Sequence, residues 1–155
     1  MPHLHDLIDY TVTCMILHPT EPKILLINHK TLNTWLPVGG HIELNEDPDE
    51  ALAREVQEEC GLPIKMISTR HDGEYPDTKM LLRPETVDIH TFGEIGHHAH
   101  VNFGYHARAL SAEPTLAPEE HTDIQWFTAA EIADSQMNIK PAVREYALEF
   151  LEKYA

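Results

Sequence analysis

The segment from Gly40 to Leu62, GHIELNEDPDEALAREVQEECGL, constrains the fold more than any other part of this chain. Within it, Asp47 is suited to cap a helix, Pro48 suits the first helical position, and Glu50 stands where a capping box has an acidic residue. Gly61 is suited to the left-handed position that follows many helices. The segment therefore predicts an α-helix that begins near residue 48 and ends near residue 60.

Three acidic residues of this predicted helix would share one face. At about 100° per residue, the side chains of Glu55, Glu58 and Glu59 fall within an arc of about 100°. Carboxylates so close repel one another, and hard divalent cations such as Mg²⁺ and Mn²⁺ would turn that repulsion into binding because they prefer oxygen ligands. A neighbouring arc is apolar and is expected to be buried; it holds Leu52, Ala53, Val56 and Cys60.

The residues around the acidic face support a metal site. Arg54 has a planar, permanently charged guanidinium that could hold Glu46 or Glu58 in a fixed orientation. Gly39 and Gly40 would let the preceding loop approach closely, so that a main-chain carbonyl could complete the site. A glutamate-rich helix face is usually just solvated, but the register of these residues favours metal binding over that alternative.

Strand and helix signals alternate along the rest of the chain without a linker or a repeat. Apolar and β-branched runs predict strands at residues 8–17, 23–27, 64–69, 87–92, 99–110 and 124–127, and the polar residues 70–85 predict a loop. Thr128 and Glu131 form a capping box for a short helix, and apolar residues at helical spacing from Asn138 on predict an amphipathic terminal helix. The pattern indicates an α/β fold with a mixed β-sheet between helices, in a single domain that spans residues 1–155.

Composition and charge narrow the class of protein. The chain has 155 residues and is 42% hydrophobic, which is enough for a core. Its net charge of −15 opposes binding to nucleic acid or anionic membranes, and an anionic substrate would need cations to enter. Cys14 and Cys60 are expected to be buried, reduced thiols, and the N-terminus lacks the basic and apolar regions of a signal peptide. A cytoplasmic protein is therefore expected.

The pattern G-x5-E-x7-R-E-(apolar)-x-E-E-x-G-(apolar), which runs from Gly40 to Leu62, resembles the signature of the Nudix hydrolases, and every defining position is filled. Trp35-Leu36-Pro37 before the glycine pair and Trp126-Phe127 further along are similar to other features of the family. Asn45 and Val38 depart from its common pattern, but neither is a proposed ligand. The resemblance implies a Nudix-type α/β/α sandwich with a mixed β-sheet.

The resemblance also implies a pyrophosphatase, a hydrolase that cleaves a pyrophosphate bond in a nucleoside diphosphate linked to another group, with Mg²⁺ or Mn²⁺ as cofactor. The metal ligands of the family carry over to the carbonyl of Gly39 and to Glu55, Glu58 and Glu59. The residues implied to support the site are Gly40, Glu46 and Gly61, with Glu46 in an ion pair with Arg54.

The residue that accepts the proton of the attacking water varies across the family and is often a glutamate of a distant loop. Glu119 and Glu120 are the candidates here, with Glu120 preferred, although loop acids are usually only solvated. Glu55 and Glu58 are alternatives. The residues implied as catalytic are thus Arg54, Glu55, Glu58 and Glu120.

The substrate implied first is a small nucleotide, either a nucleoside triphosphate or a modified nucleotide. Nucleotide sugars of the ADP-ribose type and dinucleoside polyphosphates are alternatives, because nothing in the sequence identifies the leaving group. A non-catalytic nucleotide-binding module would be expected to lack Arg54 or a glutamate of the motif, and none is missing. An isomerase of the isoprenoid type would need a cysteine in the cleft, whereas Cys14 lies in an apolar run. A homodimer is one option for the quaternary structure.

Histidines are numerous, and three of them cluster. His97, His98 and His100 could form a zinc site, because imidazole suits zinc, but polar residues on a strand edge near the substrate cleft are the favoured interpretation. His41 in the glycine-rich loop could contact a substrate phosphate, although a solvent-facing loop residue is favoured.

Other basic and aromatic residues are weaker candidates for substrate binding. Lys30 and Arg108 could contact phosphate, although single basic residues on strands are usually surface charges. Tyr75, Phe103 and Tyr105 could stack on a base, although aromatic residues in strands more often belong to the core.

Overall fold

An eight-stranded mixed β-sheet organises residues 8–91 and 98–155, the residues that the computed structural model describes. Three helices accompany the sheet in this part of the chain. In chain order, the elements are β1 (Ile8–Leu17), β2 (Lys23–His29), β3 (Trp35–Leu36), β4 (Val38–His41), α1 (Pro48–Glu59), β5 (Ile64–Met66), β6 (Thr86–His90), β7 (Ala99–Ala109), β8 (His121–Thr128), α2 (Ala129–Ala133) and α3 (Pro141–Tyr154).

The centre of the sheet is the parallel pair of β1 and β7, which runs along the whole of β1. β5 and β6 pair antiparallel with β7. β4 pairs antiparallel with β1 and places Gly39 opposite Thr13. β2 joins β1 where Leu17 lies opposite Ile24, and β2 also pairs with β3 and β8. The parallel pairing brings the first residues of β1 and β7 to the same end of the sheet, where the candidate site lies.

The alternating side chains of β1 divide the core between the two faces of the sheet. Val12 and Cys14 belong to one apolar cluster, which α1 covers with Leu52 and Val56. Met15 and Leu17 belong to the other cluster, which α3 covers with Ala147, Phe150 and Leu151. This arrangement of helices on both faces of a mixed sheet confirms the predicted α/β fold.

The first helix has the predicted ends. The Asp47 side chain accepts from the Glu50 amide, and the Glu50 side chain accepts from the Asp47 amide, so both halves of the capping box are present. Gly61 follows the helix with a φ of +60°. The prediction for Ala53 was wrong, because this residue is exposed while Ala51 is buried. The buried arc is rotated toward Glu55 and Glu59, which are themselves buried, and this rotation leaves Ala53 outside it.

Several element boundaries differ from those predicted. The strand expected to end at residue 69 ends at Met66, and α3 begins at Pro141, where proline occupies the first turn. The strand expected at 87–92 is β6, which ends at His90, and Phe92 lies outside the described residues. The short strands β3 and β4 surround Pro37 and had no alternating pattern long enough to predict them.

The cysteines and the aromatic strand residues belong to the core. Cys14 and Cys60 are buried and free, and burial raises the pKa of the Cys60 thiol to about 11. Tyr105 is buried and Phe103 packs against the same cluster, whereas Tyr75 is exposed. Within residues 8–91 and 98–155, no helix has the length and apolar character needed to cross a membrane.

Candidate active site

A cavity of about 400 Å³ opens beside the sheet, and half of the site residues predicted from sequence line it. The acidic and glycine residues that line it are Gly39, Gly40, Glu55, Glu59 and Glu120. The histidines that line it are His29, His41, His90, His98, His100, His106 and His121. One wall comes from α3, through residues such as Val143 and Tyr146. A cavity of this size is within the range that accommodates small-molecule ligands.

Glu55 lies on the inner side of α1 against the glycine pair. Glu55 is 2% exposed, and its Oε1 accepts a hydrogen bond from Nη1 of Arg54 at 2.8 Å. A Cβ atom at position 40 would overlap the Glu55 carboxylate, so any other residue there would displace this carboxylate from its present position. Burial, and next the charge of Glu59, raise the pKa of Glu55 to about 7 although Arg54 opposes the shift.

Glu59 is held from two directions. The amide of Gly39 donates to its Oε2 at 2.8 Å, and Nε2 of His121 lies 3.0 Å from its Oε1. Burial raises the pKa of Glu59, while His121 and the Gly39 amide oppose that rise. The two buried carboxylates of α1 thus face one cavity with their charge only partly compensated.

Arg54 links α1 to the end of β4 and to the loop between them. Its Nε and Nη2 donate to the two carboxylate oxygens of Glu46 at 3.1 and 2.6 Å, which is a bidentate ion pair. Nη2 also donates to the carbonyl of His41 at 2.9 Å. Arg54 holds the pKa of Glu46 below its usual range. The guanidinium therefore contacts both the loop before α1 and one carboxylate oxygen of Glu55, and holds them in a fixed relation.

Glu58 and Glu120 are at more open positions. The Glu58 side chain is 58% exposed, contacts Nη1 of Arg54 at 3.3 Å and is not among the residues that line the cavity. Glu120 is exposed and lines the cavity, while its neighbour Glu119 does not. One carboxylate oxygen of Glu120 lies within 4.8 Å of ligand atoms of Glu59 and His121.

His121 is a site residue that the sequence did not single out. It begins β8 directly after Glu119 and Glu120, and it is buried against Glu59. The contact joins residues 62 positions apart, so no local pattern predicts it. The only signal was a histidine that follows two acidic residues at the start of a predicted strand.

A second group of side chains converges at another part of the same cavity. Nε2 of His98 lies 3.1 Å and Nε2 of His41 lies 3.3 Å from Oδ2 of Asp9. The ring of His100 lies 5.0 Å from the rings of both histidines. Burial, and then the other histidines, lower the pKa of His100 to about 4. His97, the remaining member of the predicted cluster, lies outside the described residues.

Of the three candidate substrate contacts, His41 and Arg108 are placed differently from the favoured interpretation, whereas Lys30 is exposed, as a surface charge would be. The His41 side chain is 13% exposed and ends β4, so it is not a solvent-facing loop residue. Lys30 is exposed and does not line the cavity. Arg108 also does not line it, and its guanidinium donates to the carbonyls of His18, Pro19 and Tyr154. A lysine that does line the cavity is Lys140, whose pKa is lowered by burial.

The amino-acid sequence is similar to a known protein family and to a curated relative. A family model described as NUDIX domain matches residues 9–149. A segment of 65 residues, 39% of this chain, is 37% identical to m7GpppN-mRNA hydrolase NUDT17 from Xenopus laevis, and the match spans only 22% of that relative.

Solved structures extend the likeness to more than nine-tenths of the chain. A NUDIX-family hydrolase from Clostridium perfringens superposes with a TM-score of 0.76 and 28% identity over 95% of this chain and 98% of that one. A MutT NUDIX hydrolase from Burkholderia pseudomallei gives 0.67 and 24% over 93% and 98% of the two chains. Dihydroneopterin triphosphate pyrophosphohydrolase from E. coli gives 0.64 and 14% over 96% and 97%, a likeness of fold alone.

Proposed function

Because this chain belongs to the NUDIX hydrolase family, we propose that it hydrolyses a pyrophosphate bond in a nucleoside diphosphate linked to another group. Hydrolysis of such bonds in nucleotide-like substrates is general for the family. The observation that carries the proposal is the pair of buried carboxylates, Glu55 and Glu59, that face a cavity of about 400 Å³. The first candidate substrate is a nucleoside triphosphate or a modified nucleotide.

The donor set of the cavity suits a divalent cation, which the family generally uses. Glu55 and Glu59 are buried, and burial raises the pKa of both carboxyls, with the charge of Glu59 adding to the rise at Glu55. Carboxylate oxygens are the ligands that Mg²⁺ and Mn²⁺ prefer. In this proposal Glu55, Glu58, Glu59 and the carbonyl of Gly39 would hold the ion. When bound, such an ion neutralises charge on the phosphate oxygens and lowers the pKa of a nearby water molecule.

The remaining residues of the site orient these groups. Arg54 holds Glu46 and Glu55 in place, and the Gly39 amide and His121 fix the two oxygens of Glu59. Such fixed orientation matters because hydrolysis of a phosphate anhydride depends mainly on positioning and electrostatic stabilisation. Gly40 keeps space for the Glu55 carboxylate, and Gly61 ends the helix that carries it.

Glu120 is our candidate for the group that accepts the proton of the attacking water. Its carboxylate lies near the carboxylate of Glu59, lines the cavity and remains exposed to solvent, the position that a group receiving a proton from a bound water would need. Glu55, whose pKa is raised to about 7, and Glu58 are the alternatives.

The substrate class is tested with a panel of nucleotides. Purified protein with Mg²⁺ or Mn²⁺ is offered nucleoside triphosphates, oxidised nucleotides, ADP-ribose, dinucleoside polyphosphates and, because of the likeness to an m7GpppN-mRNA hydrolase, capped dinucleotides. Released phosphate and the nucleotide products are then quantified. We expect metal-dependent turnover of at least one class, with cleavage between two phosphorus atoms.

Two variants make this test specific. Glu59→Gln should lower kcat/KM by at least about 100-fold because it removes one charge from the metal-binding face. Glu152→Gln, an exposed glutamate at the end of α3, is the matched control and should retain wild-type turnover. If the panel is left intact while nucleotides bind, the chain is a nucleotide-binding module rather than an enzyme.

A further inference from the structure

Four side chains from one face of the sheet meet beside the cavity, away from the acidic face of α1. Asp9, His41, His98 and His100 each offer one ligand atom, and these atoms lie within 4.8 Å of one another. We propose that these four residues form a binding site for a transition-metal ion of the Zn²⁺ class.

The convergence follows from the register of three strands. The parallel pairing of β1 and β7 puts Asp9 opposite His100, and the antiparallel pairing of β1 and β4 puts His41 opposite Thr11, two residues further along β1. Because side chains alternate along a strand, Asp9 and Thr11 point to the same face, as do their strand partners His100 and His41, and His98 directly precedes β7. The cluster is therefore built by the central sheet itself.

The observed distances are those of neighbouring metal ligands. Two atoms that each lie 2.0–2.1 Å from a tetrahedral zinc ion are separated from one another by about 3.3–3.4 Å. Oδ2 of Asp9 is 3.1 Å from Nε2 of His98 and 3.3 Å from Nε2 of His41. The rings of His41 and His98 stand nearly perpendicular to that of His100, at 83° and 82°. All four ligand atoms lie within 4.8 Å of one another, so an ion can occupy the shared centre once the wider pairs close to the separation of tetrahedral ligands.

The burial of the Asp9 carboxylate favours binding of a cation beside it. Asp9 is 0% exposed, and the side chains of His41 and His98 are each 13% exposed. A buried carboxylate is costly unless positive charge or strong hydrogen-bond donors compensate it. A dication coordinated by the carboxylate and three imidazoles provides that compensation without protonating three adjacent histidines.

The types of donor atom indicate which class of metal ion the site would bind. Three imidazole nitrogens and one carboxylate oxygen suit Zn²⁺ and related transition metals, whereas Mg²⁺ prefers oxygen ligands throughout. This donor set separates the site from the carboxylates of Glu55 and Glu59, so the inference does not depend on the proposed hydrolysis.

The place of the site suggests a structural role next to the active site. Four protein ligands close the coordination shell, as in structural zinc sites. The ion would hold the start of β1, the end of β4 and the start of β7 together. The carbonyl of the ligand His41 accepts from Nη2 of Arg54 at 2.9 Å, so the ion also steadies the backbone on which Arg54 is anchored.

The test uses Co²⁺ as a spectroscopic probe on the full chain without an affinity tag. Metal is stripped with a chelator, the chelator is removed, and Co²⁺ is titrated in an excess of Mg²⁺ that occupies oxygen-rich sites. We expect one equivalent of Co²⁺ to bind with the strong visible absorption of a four-coordinate complex, and Zn²⁺ to abolish that absorption. Zn²⁺ should also raise the melting temperature, because it binds only the folded chain.

Variants assign the absorption to the four residues. His98→Ala, His100→Ala and Asp9→Asn should each weaken Co²⁺ binding by at least about 100-fold. His71→Ala, at an exposed histidine elsewhere, and a His3→Ala/His5→Ala double variant should bind as the wild type does. Glu59→Gln should also retain the absorption, because it alters only the acidic site. Circular dichroism of the metal-free variants checks that they are folded, and His98→Gln replaces any alanine variant that is not.

Two results would overturn the proposal. One is a wild-type chain that takes up no Co²⁺ or Zn²⁺ in excess Mg²⁺. The other is an absorption that persists in the folded His98 and Asp9 variants or disappears in Glu59→Gln, since the metal would then be bound elsewhere.

Discussion

Glu119 and Glu120 are adjacent in the chain, yet only Glu120 lines the cavity. If Glu120 accepts the proton of the attacking water, Glu120→Gln should lower kcat by about 10²–10⁴-fold, the usual contribution of a general base. Glu119→Gln is the matched control and should leave kcat close to that of the wild type. Steady-state kinetics across pH 5–9 provide the measurement. Equal activity of both variants would assign the role to another carboxylate.

Glu55 should make the metal-free protein less stable as pH rises. Its pKa is raised from an ordinary value of 4.5 to about 7, mainly by burial. Below about pH 4.5 the group is protonated in both folded and unfolded chains; between the two values only the folded chain keeps the proton, so the folded state loses stability with rising pH. Above about pH 7 the cost is constant.

The expected consequence is a pH-dependent gain from Glu55→Gln. In a chelator, the free energy of unfolding of this variant should rise relative to wild type by on the order of 3 kcal/mol between about pH 4.5 and 7. Urea unfolding at a series of pH values measures this difference, and Mg²⁺ should reduce it by binding the ionised carboxylate. Glu152→Gln should show no such pH dependence. A flat difference for Glu55→Gln would mean that its pKa is not raised.

A single helix, α1, supplies Arg54 and the three glutamates of the candidate site. Asp47, Arg54 and the three glutamates are local in sequence, and the bidentate ion pair of Arg54 with Glu46 spans only eight positions. The spacing therefore predicted which residue types would meet. It did not predict that Glu55 and Glu59 are buried while Glu58 is exposed, because that depends on how the helix rotates against β4.

The capping box of α1 should stabilise the whole chain measurably. Asp47→Ala removes the side-chain acceptor for the Glu50 amide and should lower the free energy of unfolding by about 0.5–2 kcal/mol. Asp47 also contacts Nζ of Lys79 at 2.6 Å, so Lys79→Met is needed as the control for loss of that exposed ion pair. Denaturant unfolding should show a clearly smaller loss for Lys79→Met. Equal losses would assign the effect to the ion pair instead of the cap.

At the scale of the whole molecule, α3 closes the face of the sheet opposite α1 and contributes a wall of the cavity. Phe150 is 1% exposed and packs against His106, with ring centroids 4.3 Å apart. Phe150→Ala should cost about 3–5 kcal/mol of unfolding free energy, through lost apolar burial and a residual void. Glu149→Ala, its exposed neighbour, should unfold close to the wild type in the same urea titration. A loss below about 1 kcal/mol for Phe150→Ala would mean that α3 adds little to the core.

The sequence by itself determined the helix that carries the acidic face, its two ends, the α/β class and the family, because these depend on periodicity, capping and spacing within short segments. Only the tertiary structure decided that His121 meets Glu59 and that Asp9 meets His41 and His98. It also decided that Arg108 is bound to main-chain carbonyls away from the cavity. These contacts join distant parts of the chain, and the order and register of the strands select them. Local patterns do not encode that register, since alternation predicts which face a side chain occupies but not which strand lies beside it.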